Sequence, residues 1–174
     1  WATATGKSRL SVELSKIFDI EIISSDSRQI FKYMDIGTDK ISAEIRKKIP
    51  HHLIDIINPD EYYTAWQWQK DTKKYIKEIQ WRWKIPFIVW WTGLYIDTLY
   101  KNFTMPEIWP NQKFREEMET LELNNPWFLH KELTKIDPEE SKKIHPKSMR
   151  YIIRALEIFH ESGKTKTESF LQQE

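Results

Sequence analysis

The chain has 174 residues, a formal net charge of +1, 40% hydrophobic and 30% charged residues, and no cysteine. That length carries one ordinary domain, or one core with an insertion, and the near-neutral balance confines any basic nucleic-acid surface to a local patch. The cysteine count excludes a disulfide scaffold, a thiolate nucleophile and a Cys-based zinc site, and no apolar run approaches the roughly 18 residues of a membrane span, so the expected place is the cytoplasm with no membrane partner.

The chain opens on Trp1-Ala2-Thr3-Ala4-Thr5-Gly6-Lys7-Ser8. This is the phosphate-binding P-loop pattern, Gly, four residues, then Gly-Lys-Ser/Thr, with Trp1 in place of the first glycine. In such a loop, backbone N–H groups and the N-terminus of the next helix converge on phosphate oxygens. Lys7 adds a point charge and the Ser8 hydroxyl a magnesium ligand. Gly-Lys-Ser alone equally fits a bare helix start, with Ser8 as a cap. The sequel favours the loop: Leu10, Leu14 and Ile17 recur at helical spacing over Ser8–Phe18, and Glu21-Ile22-Ile23-Ser24-Ser25 reads as a buried strand. No strand precedes the loop, so the chain reads as an internal piece of a longer protein.

Asp26-Ser27-Arg28-Gln29 follows at the carboxyl end of that strand, where open α/β sheets place their ligand chemistry. Asp26 is therefore the leading catalytic candidate, the alternative being that it caps a helix through Ile30 and Phe31. Met34 to Lys40 is a turn-rich loop, Ser42 starts a short helix, and Pro50 stops it. His51 to Ile57 reads as a second strand, on which adjacent histidines face opposite ways and cannot chelate one metal together. Thr64 caps a helix to about Gln80 with an apolar stripe of Trp68, Tyr75, Ile76 and Ile79. Ile85 to Val89 is a third, nearly all-apolar strand, as parallel strands covered on both faces are. It ends in Trp90-Trp91-Thr92-Gly93, so Thr92 also sits at a strand's carboxyl end, either as a site residue or as the cap of a helix through Tyr100. Pro106 and Pro110 mark an irregular link. Beyond it the pattern is helical only: about 111–123, 128–135, 138–144 and 148–161. The expected architecture is α/β, a P-loop parallel-sheet core over residues 1–100, an all-α insertion over 101–161, and the start of a return to the core in 162–174. Arg150 and Arg154 lie one turn apart on the last helix, which fits either a solvated face or a phosphate contact.

The P-loop, Asp26-Ser27-Arg28-Gln29, Met34-Asp35-Ile36-Gly37-Thr38, Pro50-His51-His52-Leu53-Ile54-Asp55, Thr92-Gly93-Leu94-Tyr95, Ile144-His145-Pro146 and Ile152-Ile153-Arg154-Ala155-Leu156-Glu157 occur in this order across the chain. Together they make the sequence resemble the tRNA dimethylallyltransferase family. The resemblance implies transfer of a dimethylallyl group from its diphosphate to N6 of the adenosine 3′ to a tRNA anticodon. It implies catalytic roles for Asp26 and Thr92, and diphosphate or nucleotide binding by Thr3, Ala4, Thr5, Gly6, Lys7 and Ser8, with Mg2+ at Ser8. It implies tRNA contacts from Asp26, Ser27, Arg28, Gln29, Arg115, Arg150, Tyr151, Ile152, Ile153 and Arg154. The implied partners are tRNA and dimethylallyl diphosphate, and the implied state a monomer. A small P-loop kinase would share Lys7 and Ser8, but no arginine-bearing lid is legible. An RNA-binding piece without activity would keep Arg150 and Arg154 and need no Asp26.

Glycine is scarce, 4 residues, and tryptophan abundant, 9. Trp1, Trp66, Trp83, Trp90 and Trp91 stand where the family usually has glycine, whereas Trp68 stands where it prefers an aromatic. The expectation is that UGA codons encode the first group, since one variant code reads UGA as tryptophan and another as glycine.

Overall fold

Strand β1 (Ile20–Ser25) is buried at all six positions and, among the described residues, forms the centre of a three-stranded parallel sheet ordered β2-β1-β3. The computed structural model describes residues 7–90, 92–101 and 106–171. Helix α1 (Lys7–Leu14) precedes β1; α2 (Ala43–Lys48), β2 (His51–His52), α3 (Ala65–Trp81), β3 (Ile85–Trp90) and α4 (Gly93–Tyr100) follow. Register runs from Ile20 opposite Ile85 to Ser25 opposite Trp90, so β1 and β3 end level with each other. The carboxyl ends of the two strands thus deliver Asp26 and Thr92 to one edge of the sheet, as a parallel α/β core of the P-loop type requires.

Helix α3 locks that edge. It starts in a capping box, in which the Thr64 hydroxyl accepts from Gln67 N and the Gln67 side chain accepts from Thr64 N. Its stripe then delivers Trp68 and Ile79, both wholly buried, to a core shared with Ile23, Leu53 and Tyr95. Trp68 stacks on Tyr95 with ring centroids 4.8 Å apart, and its indole N–H donates to Ser24 O at 2.9 Å. A buried indole must find such a partner, and here the partner is the backbone just before Asp26.

Three elements differ from expectation. Helix α1 closes at Leu14 and the chain turns through Ser15–Ile17 rather than continuing to Phe18. The second strand is only His51–His52, because Leu53 and Asp55 take left-handed φ values of 62° and 56° that no ladder accommodates. The chain there bends onto the turn after β1 instead, with Asp55 N donating to Gln29 O at 3.1 Å and Ile56 N to Ile30 O at 2.8 Å. Helix α9 (Lys166–Leu171) had no periodic signal; side chains dock it, Thr167 donating to Asp137 at 2.6 Å and Lys166 pairing with Glu140.

The chain divides into two compact units, Trp1–Asn102 and Phe103–Glu174. The described part of the second is all helical: α5 (Gln112–Asn124), α6 (Phe128–Ile136), α7 (Pro138–Lys143), α8 (Met149–Ser162) and α9. Its core is Leu129, Leu133, Ile144, Ile152, Ile153, Ala155 and Leu156. Asn111 and Asp137 cap α5 and α7, Pro138 takes the first turn of α7, and Gly163 closes α8 at φ 68°, a conformation glycine adopts without cost.

Candidate active site and nucleic-acid interface

Asp26 is 8% exposed at the end of β1. No helix follows it; residues 27–30 form a turn. Its carboxylate holds that turn from within, Oδ1 accepting from Arg28 N at 2.8 Å and Gln29 N at 3.3 Å. This is an Asx-type arrangement, so the alternative reading of Asp26 as a helix cap fails on the backbone while its hydrogen-bonding logic survives. The second oxygen, Oδ2, has no hydrogen-bond partner among the described residues. Tyr95 lies near enough to feel the charge: burial, then the Asp26 carboxylate, push its phenol up to about 12.

Thr92 occupies the N-cap position of α4 but makes no side-chain cap bond. Its hydroxyl goes to the Asp26 turn instead, accepting from Ser27 N at 3.2 Å and donating to Ser27 Oγ at 3.2 Å. Thr92 N meanwhile donates to Ser25 O at 3.0 Å, extending the pairing of β1 and β3 by one step. Ser27 and Thr92 are therefore hydrogen-bonded across the two strand ends, within the turn that the Asp26 carboxylate holds. Arg28 beside them is exposed. Gln29 is not free, since its amide Nε2 lies 3.1 Å from Thr38 O and 3.3 Å from Asp39 O.

Lys7 and Ser8 open α1, with their side chains outside the described residues, as Thr3, Ala4, Thr5 and Gly6 are entirely. A helix followed by a parallel central strand is the setting a P-loop needs. Among the described residues no group of His, Asp and Glu is placed to hold a metal. His51 faces Ile49 O at 2.6 Å and His52 faces Glu21 at 2.7 Å, each with its own partner. A magnesium ion would therefore lean on water and substrate phosphates rather than on side chains among the described residues.

In the helical unit the predicted arginines divide. Glu157 on α8 is wholly buried and accepts from Arg115 Nε and Nη2 at 2.8 and 2.7 Å, from Arg154 Nη1 at 2.6 Å and from Asn111 N at 2.8 Å. Arg154 Nη2 also donates to Ile108 O at 3.2 Å. Burial alone would raise the Glu157 carboxyl, but these donors outweigh it and hold it below the ordinary range. Arg150 and Tyr151 are exposed, while Ile152 and Ile153 are core residues at 1% and 4%. Sequence reading missed Glu157, and also missed Lys40 and Asp55, which organise the loop behind the Asp26 turn. The one signal for Glu157 was positional, a carboxylate between Leu156 and Ile158 on the apolar side of α8.

The family model for IPP transferase matches residues 29–174. The tRNA dimethylallyltransferase of Caldanaerobacter subterraneus subsp. tengcongensis is 46% identical over 163 residues, covering 93% of this chain and 52% of its own length. That of Dictyoglomus turgidum is 45% identical over 167 residues, at 95% and 51% coverage. Among solved structures, the tRNA isopentenylpyrophosphate transferase of Bacillus halodurans matches at 41% identity and TM-score 0.58, over 93% of this chain and 54% of that one. A eukaryotic dimethylallyltransferase acting on tRNA matches at 32% identity and TM-score 0.78, over 99% and 43%. The chain thus spans about half the length of the curated relatives it matches. With a family model covering most of its residues and relatives this similar along nearly all of it, the chain belongs to the IPP transferase family.

Proposed function

We propose that the whole protein transfers a dimethylallyl group from dimethylallyl diphosphate to N6 of the adenosine 3′ to the anticodon in tRNA. The observation that carries this reading is the group at the strand ends: a nearly buried carboxylate with one oxygen fixed by the turn, its other oxygen free among the described residues, and Thr92 tied beside it. An exocyclic adenine amine is a weak nucleophile because its lone pair is delocalised into the ring. Asp26 Oδ2 accepts its proton as the N6–C bond forms and the C–O bond to diphosphate breaks, the bonding pair leaving with the diphosphate. Thr92 and Ser27 fix where the carboxylate and the base meet. Loop amides from Thr3 to Gly6, with Lys7, stabilise the leaving charge, which develops only as the bond breaks. Magnesium held near Ser8 would supply further neutralisation of that charge.

The base must leave its stack to reach Asp26, and a loop adenosine is cheap to extrude. Arg28, Arg150 and Tyr151 present exposed side chains for tRNA. Arg115 and Arg154 keep about a third of their side chains exposed, 31% and 30%, while anchored on Glu157. They offer phosphate a preorganised charge. A monomer in the cytoplasm fits this role.

The test is incubation of the full-length protein with labelled dimethylallyl diphosphate and either tRNA or ATP with small acceptors. Label entering tRNA supports the transfer reading. Phosphate moving from ATP to a small acceptor supports a P-loop kinase, and tRNA binding without label transfer supports an inactive RNA-binding protein.

A further inference from the structure

Lys40 is a charged side chain at 1% exposure whose ammonium has three partners: Phe31 O at 2.9 Å, Asp35 at 2.8 Å and Asp55 at 2.6 Å. Arg46 closes the cluster by pairing with Asp55. Burial alone would lower the Lys40 amine, but the two carboxylates outweigh it and raise it. A buried ammonium costs much desolvation, so full satisfaction by three acceptors makes it a fixed point of the surrounding chain.

What it fixes is two strained segments. Among the described residues six non-glycine residues have positive φ, and four of them flank this cluster: Tyr33 at 65°, Asp39 at 49°, Leu53 at 62° and Asp55 at 56°. Such conformations persist only where the surroundings over-determine them, and they gather at functional sites. The loop from Tyr33 to Asp39 then presents Thr38 O and Asp39 O to the Gln29 amide. Gln29 in turn donates its backbone N–H to Asp26, and its carbonyl accepts from Asp55 N. The path from Lys40 to the Asp26 carboxylate is therefore continuous, reaching Gln29 through the loop carbonyls on one side and through Asp55 on the other.

We infer that Lys40 is a positioning residue: by clamping the 33–39 loop to Asp55 it holds the Asp26–Gln29 turn in the shape that receives the nucleic-acid substrate. The inference rests on the transfer reading above for its substrate, but not for its geometry. It assigns no chemistry to Lys40, which touches no reacting atom.

The full-length protein is tested as Lys40→Met, Lys40→Arg, Gln29→Leu and the Lys40→Met/Gln29→Leu double variant. Lys40→Met should raise KM for tRNA by about tenfold, the factor expected for groups coupled through shared contacts. Its KM for dimethylallyl diphosphate should stay near wild type, while kcat falls along with the rise in KM for tRNA because the Asp26 carboxylate moves with the turn. Lys40→Arg, which can still bridge two carboxylates, should recover most of the loss. The double variant should be no worse than the more severe single one. Loss of kcat with KM unchanged, as from a smaller folded fraction, or additive losses in the double variant, would overturn the inference. Amide hydrogen exchange at Arg28 and Gln29 reads the same clamp without any activity: it should quicken by about tenfold in Lys40→Met while α3 is unaffected. Unchanged exchange at the turn overturns the positioning role whatever the transfer assay shows. Failure of the wild type to transfer label overturns the transfer reading alone.

Discussion

Thr92 and Ser27, 65 residues apart in sequence, exchange two hydrogen bonds at 3.2 Å, one through the Ser27 backbone N–H and one between their hydroxyls. This cross-strand clasp, rather than a helix cap, is what the Thr92 hydroxyl does. Thr92→Val keeps the shape and removes both bonds, so it should lower kcat by up to about 10²-fold through misplacement of the Asp26 turn. Thr92→Ser should retain most activity. Steady-state kinetics of the two variants check this, and equal losses in both would assign the role to the threonine methyl instead.

Asp26 serves two ends with two oxygens, which allows them to be separated. Asp26→Asn leaves an acceptor for Arg28 N and Gln29 N but no base, and should lower turnover by roughly 10²–10⁴-fold with tRNA affinity little changed. Asp26→Ala removes the turn bonds as well and should weaken tRNA binding in addition. Filter binding beside single-turnover kinetics distinguishes them.

Removing Glu157 leaves Arg115, Arg154 and Asn111 N without their common acceptor in the helical unit. Glu157→Ala should destabilise that unit by about 3 kcal/mol, as loss of one partner of a buried charge cluster does. Arg154→Ala should combine a smaller stability loss with weaker tRNA binding. Arg150→Ala, exposed and outside the cluster, should weaken tRNA binding and flatten its salt dependence with no change in melting temperature. Thermal melts and salt titrations on the same three variants separate the two effects.

Glu21 is buried at 4% and is held by Arg82 at 2.7 Å and His52 at 2.7 Å. Burial alone would raise its carboxyl, but these hydrogen bonds outweigh it and hold it at about 2, against 4.5 unfolded. A depressed carboxylate contributes stability that is complete above the unfolded value and lost as pH falls through the folded one. The contribution, on the order of 3 kcal/mol, should therefore fade between about pH 4.5 and pH 2. Denaturant melts across that range should show a shallower loss in Glu21→Gln than in wild type.

The order of elements, the central strand, the α3 cap and stripe, and the first four helices of the second unit were legible because each rests on local signals: period, caps and turn residues. What escaped depends on contacts distant in sequence. No local rule says that Leu53 and Asp55 turn left-handed, since a buried lysine fifteen residues upstream of Asp55 makes that conformation tenable. Nor does spacing show that Thr92 binds Ser27 rather than its own helix, or that Arg154 leans on a carboxylate three residues on. That Asp26 and Thr92 stand at the carboxyl ends of neighbouring strands was readable. Their partners required the fold.

Trp83 gives the expectation about tryptophan and glycine a backbone test. Helix α3 ends in a Schellman arrangement: Trp83 N donates to Gln80 O at 2.9 Å and Lys84 N to Ile79 O at 3.1 Å, with Arg82 as C-cap. The residue after the C-cap in that motif is left-handed, and glycine is its usual occupant because a Cβ there costs about 1–2 kcal/mol. Trp83 has φ 60° and is 96% exposed, so its indole returns almost no burial for that cost. Trp127, the N-cap of α6, is also left-handed at φ 71°, with 46% of it exposed. Trp68 is the opposite case, wholly buried, stacked on Tyr95 and bonded to Ser24 O. Trp83→Gly and Trp127→Gly should each stabilise by about 0.5–1 kcal/mol, the relief of strain less the greater freedom of an unfolded glycine. Trp68→Gly should unfold the first unit. The coding DNA extends the test: UGA at Trp1, Trp66, Trp83, Trp90 and Trp91 with UGG at Trp68 is the expected pattern, to which the left-handed backbone now adds Trp127. UGG at all of them would mean that the chain carries these indoles in life and bears the strain.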